Sequence, residues 1–321
     1  MLRFLTVALC SMAGLFSFPA YSLAQTYPEK PIEMIVAFAP GGGTDVAARS
    51  IARFMEKHLN SARIAIINKP GAGGEIGWTQ LARSKPDGYT IGFINAPAIN
   101  ALVVEGKAKF AMSDFQTIAN LVYDPGILVV HKSSPFQTLT ELIKAAKDAP
   151  QGIVIGTSGA SGSSEHIALL ELNRLANVEF KPAFFGGTAP VRQAILGNHV
   201  PAATMNLSEA LALIREGEIR VLGIMSEERS DYFKDALTFK EQGIDLIAGA
   251  SRGIVAPRGV SPETVALLQD VIGKAMNDPE YLETARKAEI PIEFLGPQEY
   301  RQFLDRATAS LQATWEKTPW K

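Results

Sequence analysis

Glycine-rich turns that join an apolar run to a helical pattern constrain the fold of this chain more than any other feature. Four such turns occur, and they are PGGGTD from Pro40, GAGGEIG from Gly71, SGASGSS from Ser158 and FFGGTAP from Phe184. A strand that enters a glycine turn and leaves it as a helix is the repeating unit of parallel α/β sheets. In open α/β sheets, ligands bind beyond the carboxyl ends of the strands, where all four turns would lie. The pattern predicts an α/β fold with a ligand site formed by these turns.

The first turn indicates what kind of ligand to expect. Residues 32–38 form an apolar run, and apolar residues recur at helical spacing from Val46 to Leu59. The spacing predicts a strand, a turn and a helix, with Thr44 or Asp45 as the N-cap and capping as the role of Asp45. The glycines would leave backbone N–H groups bare at the positive end of the helix. Such a turn is a seat for a carboxylate or a phosphate.

The alternation of strands and helices runs twice along the chain. The first run is assigned to one domain of residues 25–125 and 248–321, because the C-terminal segment has too few strands for a domain of its own. The second run forms the other domain, residues 126–247. Separate strands are expected on either side of this boundary, at 115–122 and at 126–130. The sequence thus predicts two doubly wound α/β domains of similar plan.

The first 24 residues are typical of a secretory signal peptide. Arg3 precedes the apolar stretch 4–18, which is too short to span a bilayer, and small residues precede a cleavage site after Ala24. The only cysteine, Cys10, lies within this leader. The mature chain is therefore expected to form no disulfide and to use no cysteine nucleophile or thiolate metal site. These features predict an exported protein.

Composition and motifs argue against several classes of partner. The formal charge is −2 and no basic block follows the leader, so no nucleic acid is expected to bind. The four histidines form no metal-ligand spacing. No G-x-x-x-x-G-K-[ST] motif occurs, and the glycine turns do not match G-x-G-x-x-G with a suitably spaced acidic residue, which argues against nucleotides. No cofactor and no metal are predicted.

An exported serine hydrolase is the alternative function, with Ser158 or Ser163 as nucleophile and His166 as base. The loop GTSGASG is not G-x-S-x-G, because Ala160 takes the place of the second glycine. Ser163 and His166 are also only three residues apart at one helix start, too close for an independently placed base. For Arg252, two roles stay open at this point: bidentate binding of a ligand carboxylate, and a surface salt bridge.

Longer motifs carry a resemblance to a known family. They are YPEKPIEMIVAFAPGGGTDVAAR, INKPGAGGEIG, KPDGYTIG, the SGASGSSEH loop, ILGNHV, EGEIRVLGIMSEERS and GIVAPRGV. Across nearly the whole mature chain the sequence resembles the Bug (Bordetella uptake gene) or TctC family, periplasmic solute-binding proteins of tripartite tricarboxylate transporters. The resemblance implies a type II periplasmic-binding-protein fold, in which two α/β domains joined by a hinge close on a small organic anion in the cleft between them.

The resemblance also implies partners and site residues. The protein would be a monomer without enzymatic activity that delivers a small organic carboxylate to the permease subunits of the transporter, or that serves a sensor instead. Backbone N–H groups, small hydroxyls and water would hold the carboxylate. In the first domain the implied positions are Phe38, Pro40, Gly41, Gly42, Gly43 and Thr44. In the second domain they are Thr157, Ser158, Gly159, Gly162, Ser163, His166, Gly186, Gly187 and Asn206, and Arg252 completes the predicted set.

Differences from the family pattern fall on the wall that should select the ligand. Phe184 and Phe185 stand where family members often have tyrosine and lysine, and Pro201 stands where an aspartate is common. Many relatives carry tryptophan where this chain has Arg252, and the loop between Gly159 and Gly162 has one extra residue. Citrate is therefore not assumed to be the ligand.

Overall fold

The computed structural model describes residues 27–60, 62–148, 152–317 and 319–320. The predicted signal peptide, residues 1–24, lies outside these ranges. Within them, ten strands and ten α-helices follow one another. The strands are β1 (Ile32–Val36), β2 (Ile64–Asn68), β3 (Thr90–Ala96), β4 (Phe115–His131), β5 (Val154–Ser158), β6 (Lys181–Phe185), β7 (Ala202–Asn206), β8 (Ile219–Ile224), β9 (Gly249–Pro257) and β10 (Ile292–Leu295). The helices are α1 (Gly43–Glu56), α2 (Glu75–Ala82), α3 (Ala98–Val104), α4 (Leu139–Asp148), α5 (Ser164–Ala176), α6 (Thr188–Leu196), α7 (Leu207–Arg215), α8 (Pro262–Met276), α9 (Pro279–Lys287) and α10 (Pro297–Lys317).

The strands form two sheets that share one long strand. The first sheet has the order β2-β1-β3-β9-β4, with β10 on the outer side of β4. The second sheet has the order β8-β4-β7-β5-β6. Parallel pairing joins β1 to β2 and β3, and likewise β5 to β6 and β7, as repeated strand–turn–helix units require. The α/β fold predicted from the glycine turns is confirmed.

The shared strand β4 corrects one prediction. Two separate strands were expected at 115–122 and 126–130, but one strand of 17 residues runs through both segments. Up to Pro125 it pairs with β9, and from Gly126 onward it pairs with β7. Proline has no N–H to donate. Pro125 is tolerated within the strand because it lies where β4 exchanges one partner for the next.

Apolar clusters cover both faces of each sheet. On the first sheet, one cluster centres on α1 and α8 and the other on Trp78 and Tyr300. Their buried members come from 32–122 and 254–304, whereas the two clusters on the second sheet draw theirs from 127–246. The first sheet with its helices is called here the first half of the molecule, and the second sheet with its helices the second half. Each half has its own core, which is the physical requirement for a domain.

The C-terminal helices return to the first half, as the sequence indicated. Helices α8 and α9 pack against α1, and α10 packs against α3 and β4. Two short elements, α3 and β10, were not expected from the sequence. No helix among the described residues is both long enough and apolar enough to cross a membrane.

Candidate functional site

A cavity of about 460 Å³ lies between the two halves, at the carboxyl ends of β1, β3, β5, β6 and β7. This volume suits a small organic ligand. The first half contributes residues 38–44 and the N-terminal part of α3 to its lining. The second half contributes residues 158–165 and 186–190, which are the third and fourth glycine turns. The glycine turns of the two halves therefore face each other across one cleft.

Fourteen of the sixteen predicted site residues line this cavity, and two do not. Thr157 is buried in β5, where its hydroxyl donates to the carbonyl of Ala183 at 3.2 Å. His166 is buried beneath the third turn and holds that turn from below. The structure thus brings fourteen of the predicted residues together, while their contact with a ligand stays a prediction.

The first turn leaves the amino end of α1 without a side-chain cap. Gly42 is the N-cap residue, and no side chain accepts a hydrogen bond from the first turn of the helix. Thr44 and Asp45 were predicted as caps, and this is wrong because both lie inside α1. Since the first N–H groups of a helix have no partner within it, those of α1 lie bare beside the cavity.

Asp45 instead stabilises the first turn by accepting hydrogen bonds on the side away from the cavity. Its carboxylate accepts hydrogen bonds from the backbone N–H of Gly41, from Arg49 Nε and from Asn68 Nδ2, all at 2.9 Å. Burial acts to raise the pKa of Asp45, but these bonds outweigh it and hold the pKa below its ordinary value. The glycine turn is therefore fixed by a carboxylate on its far side, which leaves the cavity side free.

The third turn is closed by Ser163 and His166. The Ser163 hydroxyl caps α5 by accepting from the backbone N–H of His166 at 3.3 Å. In return, Nδ1 of His166 accepts from the backbone N–H of Gly162 at 3.0 Å. Burial lowers the pKa of His166 to about 4, so its imidazole is neutral at physiological pH. With Nδ1 as an acceptor, the ring proton lies on Nε2.

These contacts do not provide the catalytic pair of the serine hydrolase alternative. The Ser163 hydroxyl is engaged by the backbone of His166 rather than by its ring, and the Ser158 hydroxyl shares a 3.1 Å bond with Thr188. Among the described residues neither serine hydroxyl is hydrogen-bonded to the imidazole, whereas a nucleophile and its base need such a bond. The geometry favours a structural role for all three side chains.

Arg252 forms a buried ion-pair network, and this decides between the roles left open for it. Its Nη1 lies 2.9 Å from Asp124 of β4, and its Nη2 lies 3.4 Å from Glu209 of α7. The salt bridge is therefore real but lies inside the molecule rather than on its surface. Asp124 and Arg252 come from the strands that link the halves, whereas Glu209 belongs to α7 of the second half. The network therefore connects the linking strands to α7 beside the cavity.

Several cavity residues were missed in the sequence. They are Asn95, Glu165, Thr188, Arg192 and Glu209. Thr188 donates to Glu209 Oε2 at 2.8 Å, and Asn206 Nδ2 donates to Glu165 Oε1 at 3.1 Å. Glu165, Arg192 and Glu209 each lie within the first turns of a helix that follows a predicted glycine turn or strand end. That position is the signal that could have found them, since early helix residues border a cleft of this kind.

Burial perturbs both acidic residues of the cavity. It raises the pKa of Glu165 to about 8, and the neighbouring charge of Glu209 raises it further in the same direction. The pKa of Glu209 is also raised by burial, although the Arg252 guanidinium opposes this shift. Perturbed carboxyl groups in a cleft mark candidate binding residues.

Arg192 of α6 is the cation available to a ligand. It lines the cavity, and among the described residues it forms no ion pair; its Nε is buried without a hydrogen-bond partner. Arg252, by contrast, is already held by two carboxylates. In the part of the chain that the structure describes, no group of three or more His, Cys, Asp and Glu side chains could hold a metal ion.

Two α/β halves with separate cores, linked through β4 and β9 and enclosing a cleft, have the architecture of two-domain solute-binding proteins. The family model described as "Tripartite tricarboxylate transporter family receptor" (TctC) matches residues 47–317. The chain belongs to this family, as its motifs indicated.

Relatives and solved structures agree with this assignment. The protein BugT of Bordetella pertussis is 32% identical over 288 residues, covering 88% of this chain and 87% of BugT. A TctC solute-binding protein from Polaromonas, solved without ligand, is 32% identical with a TM-score of 0.75, covering 91% and 100% of the two chains. MatC of Rhodopseudomonas palustris, solved with bound malate, is 27% identical with a TM-score of 0.79, covering 89% and 99%. The type II binding-protein fold predicted from the sequence is thereby confirmed.

Proposed function

We propose that this protein is an extracytoplasmic receptor that captures a small organic carboxylate and delivers it to the permease of a tripartite tricarboxylate transporter. The observation that carries the proposal is the convergence of two uncapped helix N-termini from opposite halves on one cavity. Helix α1 begins after Gly42 and α6 after Gly187; neither has a side-chain cap, and both glycines line the cleft. Bare N–H groups and the helix dipoles favour an anion at this point.

Arg192 supplies the charge that the backbone donors lack. A guanidinium with no ion-pair partner among the described residues can bind a carboxylate through two parallel hydrogen bonds. The α1 turn, residues 40–44, would hold the same ligand from the opposite half. An anion between them would satisfy donors of both halves at once, and this favours a closed state over an open one.

The mechanism we propose is closure of two domains about a hinge in β4 and β9. The domains are residues 25–125 with 248–321, and residues 126–247. At this junction the N–H of Gly126 donates to Ala248 at 2.8 Å, beside the point where β4 changes partners. A few residues at the ends of such elements can absorb the rotation. No covalent bond is made or broken in this mechanism.

Family membership supports the wider assignment. The malate bound in the MatC structure is a small organic carboxylate, which is the broad class of ligand proposed here. We further propose that residues 1–24 direct export, that the receptor acts as a monomer, and that it needs neither cofactor nor nucleic acid. Transport is proposed rather than sensing because the family model describes a transporter receptor.

Thermal-shift screening tests the proposal directly. Purified mature protein would be heated with di- and tricarboxylates, aromatic acids and amino acids, one at a time. A ligand at ~100 times its Kd should raise the free energy of unfolding by about 2.7 kcal/mol. If no carboxylate among these raises the melting temperature, the proposal is wrong. For a ligand that binds, loss of its uptake in a deletion strain would support transport, and intact uptake would favour a sensor.

A further inference from the structure

One apolar cluster contains residues from both halves of the molecule. Its buried members are Ala101 of α3, Leu311 of α10 and Trp320, which follows α10. Ile167 and Leu170 of α5 pack against these residues from the second half. The four clusters described above each belong to one sheet, whereas this cluster joins helices of the two sheets. These five residues are called here the interdomain latch.

Helix α5 has apolar residues for two different neighbours. Ala168, Leu169 and Leu172 pack in the core of the second half. Ile167 and Leu170 lie three positions apart, so they share one face of the helix, and they pack against residues of the first half instead. The helix begins directly after the third glycine turn, with Ser163 as its N-cap. A contact with Ile167 and Leu170 therefore acts close to the cavity.

Trp320 is buried although it lies outside any helix or strand. Only 4 % of its surface is exposed. Its indole Nε1 donates to Oε1 of Glu105 at 2.6 Å, and its ring packs edge-on against Trp315, with the ring centroids 4.7 Å apart. A buried tryptophan contributes a large apolar area and needs an acceptor for its N–H group, and both conditions are met here. These contacts fix the segment after α10 against α3.

Glu105 brings the same region of α3 against the third glycine turn. Its side chain is 1 % exposed, and Lys107 is its ion-pair partner. A Cβ atom placed on Gly162 would lie 3.1 Å from Oε1 of Glu105 and 3.0 Å from the Cβ of Ala101. Burial lowers the pKa of His166 beneath this turn, and the negative charge of Glu105 opposes the shift. The end of α3 therefore lies directly against the third turn, across the boundary between the halves.

The position of the latch connects it to the opening of the cleft. Residues 158–165 and the N-terminal part of α3 line the cavity from opposite halves, and none of the five latch residues is among those that line it. Rotation of the halves about β4 and β9 would separate the first-half members of the latch from Ile167 and Leu170. Apolar surface would then be exposed to water, which is unfavourable. The latch therefore favours the closed arrangement whether or not a ligand is bound.

We propose that the interdomain latch holds the two halves together in the ligand-free receptor. The proposal rests on the proposed function, because it concerns the same domain closure, and it assigns control of the open and closed populations to a contact outside the cavity. A ligand loses less affinity to a conformational change when most molecules already have the binding-competent arrangement. Trp320 and Leu170 thus act on ligand affinity without lining the cavity.

Spin labels on the two halves measure this equilibrium without any ligand. The only cysteine, Cys10, lies in the predicted signal peptide, so protein produced without residues 1–24 can be labelled at Lys144→Cys and Lys274→Cys, two exposed positions on α4 and α8. Double electron–electron resonance should give one dominant distance between the labels when the latch is intact. In Trp320→Ala, a second distance should appear in at least about a third of the molecules. A distance distribution that Trp320→Ala leaves unaltered would overturn the proposal.

A substitution on the other side of the latch separates opening of the cleft from a local effect on the segment after α10. Leu170→Ala leaves Trp320 in place and should produce the same second distance, and the double variant should add less than the sum of the two. Leu282→Ala, at an exposed apolar residue of α9, is the matched control and should keep the single distance. Melting curves would first establish folding; if Trp320→Ala does not fold, Leu170→Ala decides. A second distance in Trp320→Ala but not in Leu170→Ala would also contradict the proposal.

The latch and the proposed function can fail separately. The spin-label measurement uses no ligand, whereas the thermal-shift screen depends on carboxylate binding alone. If a carboxylate raises the melting temperature but neither latch variant opens, only the latch proposal is wrong. If the latch variants open but no carboxylate raises the melting temperature, the proposed function is wrong and the latch still holds the two halves together.

Discussion

The two sides of the cleft differ in the groups that they present to a ligand. On the first side, the α1 turn presents backbone N–H groups, and its one carboxylate, Asp45, faces away to brace it. On the second side, charged side chains of α5, α6 and α7 line the cavity. Backbone donors bind any suitable anion, whereas side chains discriminate by charge and shape. The first side therefore offers a ligand backbone donors alone, whereas the second side adds side chains of both charges to the backbone donors of α6.

The largest effect is expected from placing a carboxylate in the α1 turn. Gly42 has an extended backbone that any residue adopts, and its Cβ would meet only the carbonyl of Ala39 at 3.6 Å. Gly42→Asp should cap α1 and repel the ligand carboxylate, so affinity should fall about 100-fold or more while the melting temperature is unchanged or higher. Calorimetry and thermal melts measure the two quantities.

Two companion variants separate charge from capping at the same position. Gly42→Asn caps the helix without charge and should cost less affinity than Gly42→Asp, because it competes for the same N–H groups but does not repel. Gly42→Ala fills space without capping and should bind nearly as well as the unchanged protein. Equal affinity in all three variants would show that the α1 turn is only structural.

Removal of the Arg192 guanidinium should have the next largest effect on ligand affinity. Arg192→Gln deletes a guanidinium that lines the cavity without an ion-pair partner among the described residues. A charge-assisted hydrogen bond contributes about 1.5–3 kcal/mol, so affinity for a carboxylate should fall about 10- to 100-fold. Arg174→Gln, which removes an exposed arginine of α5 paired with Glu171, is the control and should bind normally. Normal binding by Arg192→Gln would remove this residue from the site.

A smaller effect is expected where the two halves touch. A Cβ on Gly43 would lie 2.9 Å from Arg252 Nη2 and 3.2 Å from Glu209 Oε1, so Gly43→Ala forces the ion-pair network to shift. Closure should become less favourable and affinity should fall several-fold, about 1 kcal/mol. Gly42→Ala is again the matched control, one residue away and in open space. Small-angle scattering with saturating ligand should show a larger radius for Gly43→Ala, and identical curves would contradict the closure argument.

The sequence predicted the first side of the cleft far better than the second. A glycine turn between a strand and a helix is a local pattern, so the α1 turn and the α/β fold could be recognised from neighbouring residues. Glu165, Arg192 and Glu209 resemble ordinary polar helix residues, and only the packing of two distant segments brings them to one cavity. Asp45 was misassigned for a similar reason, since its partner Asn68 lies at the end of β2, 23 positions away in the sequence.

The same reasoning explains the error at the junction of the sheets. Pro125 and Gly126 are typical turn residues, and nothing local indicates that β4 continues through them with new partners. The buried network of Arg252 with Asp124 and Glu209 joins residues far apart in sequence. The family resemblance supplied the overall fold, but the charged side chains of α5, α6 and α7 in the cavity had to come from the structure.

The smallest effect concerns stability rather than binding, and it comes from the buried carboxyl groups of Glu165 and Glu209. Burial raises the pKa of Glu165 to about 8, so between its unfolded pKa and pH 8 the folded protein holds a proton that the unfolded chain has released. Stability of the ligand-free protein should therefore fall as pH rises through this window. His166, with its pKa lowered to about 4, has the opposite effect, but only below about pH 6.5.

The range from pH 6.5 to 8 therefore isolates the contribution of Glu165 and Glu209. Over this range the ionisation of Glu165 should lower the free energy of unfolding by up to about 2 kcal/mol, which corresponds to a melting temperature lower by about 4 °C. Glu209, whose pKa is raised in the same direction, adds to the slope, so Glu165→Gln should reduce it without abolishing it. Glu171→Gln should keep the full slope. If Glu165→Gln melts with the same pH dependence as the unchanged protein, Glu165 is already ionised at neutral pH in the ligand-free protein, and the raised pKa assigned to it is wrong.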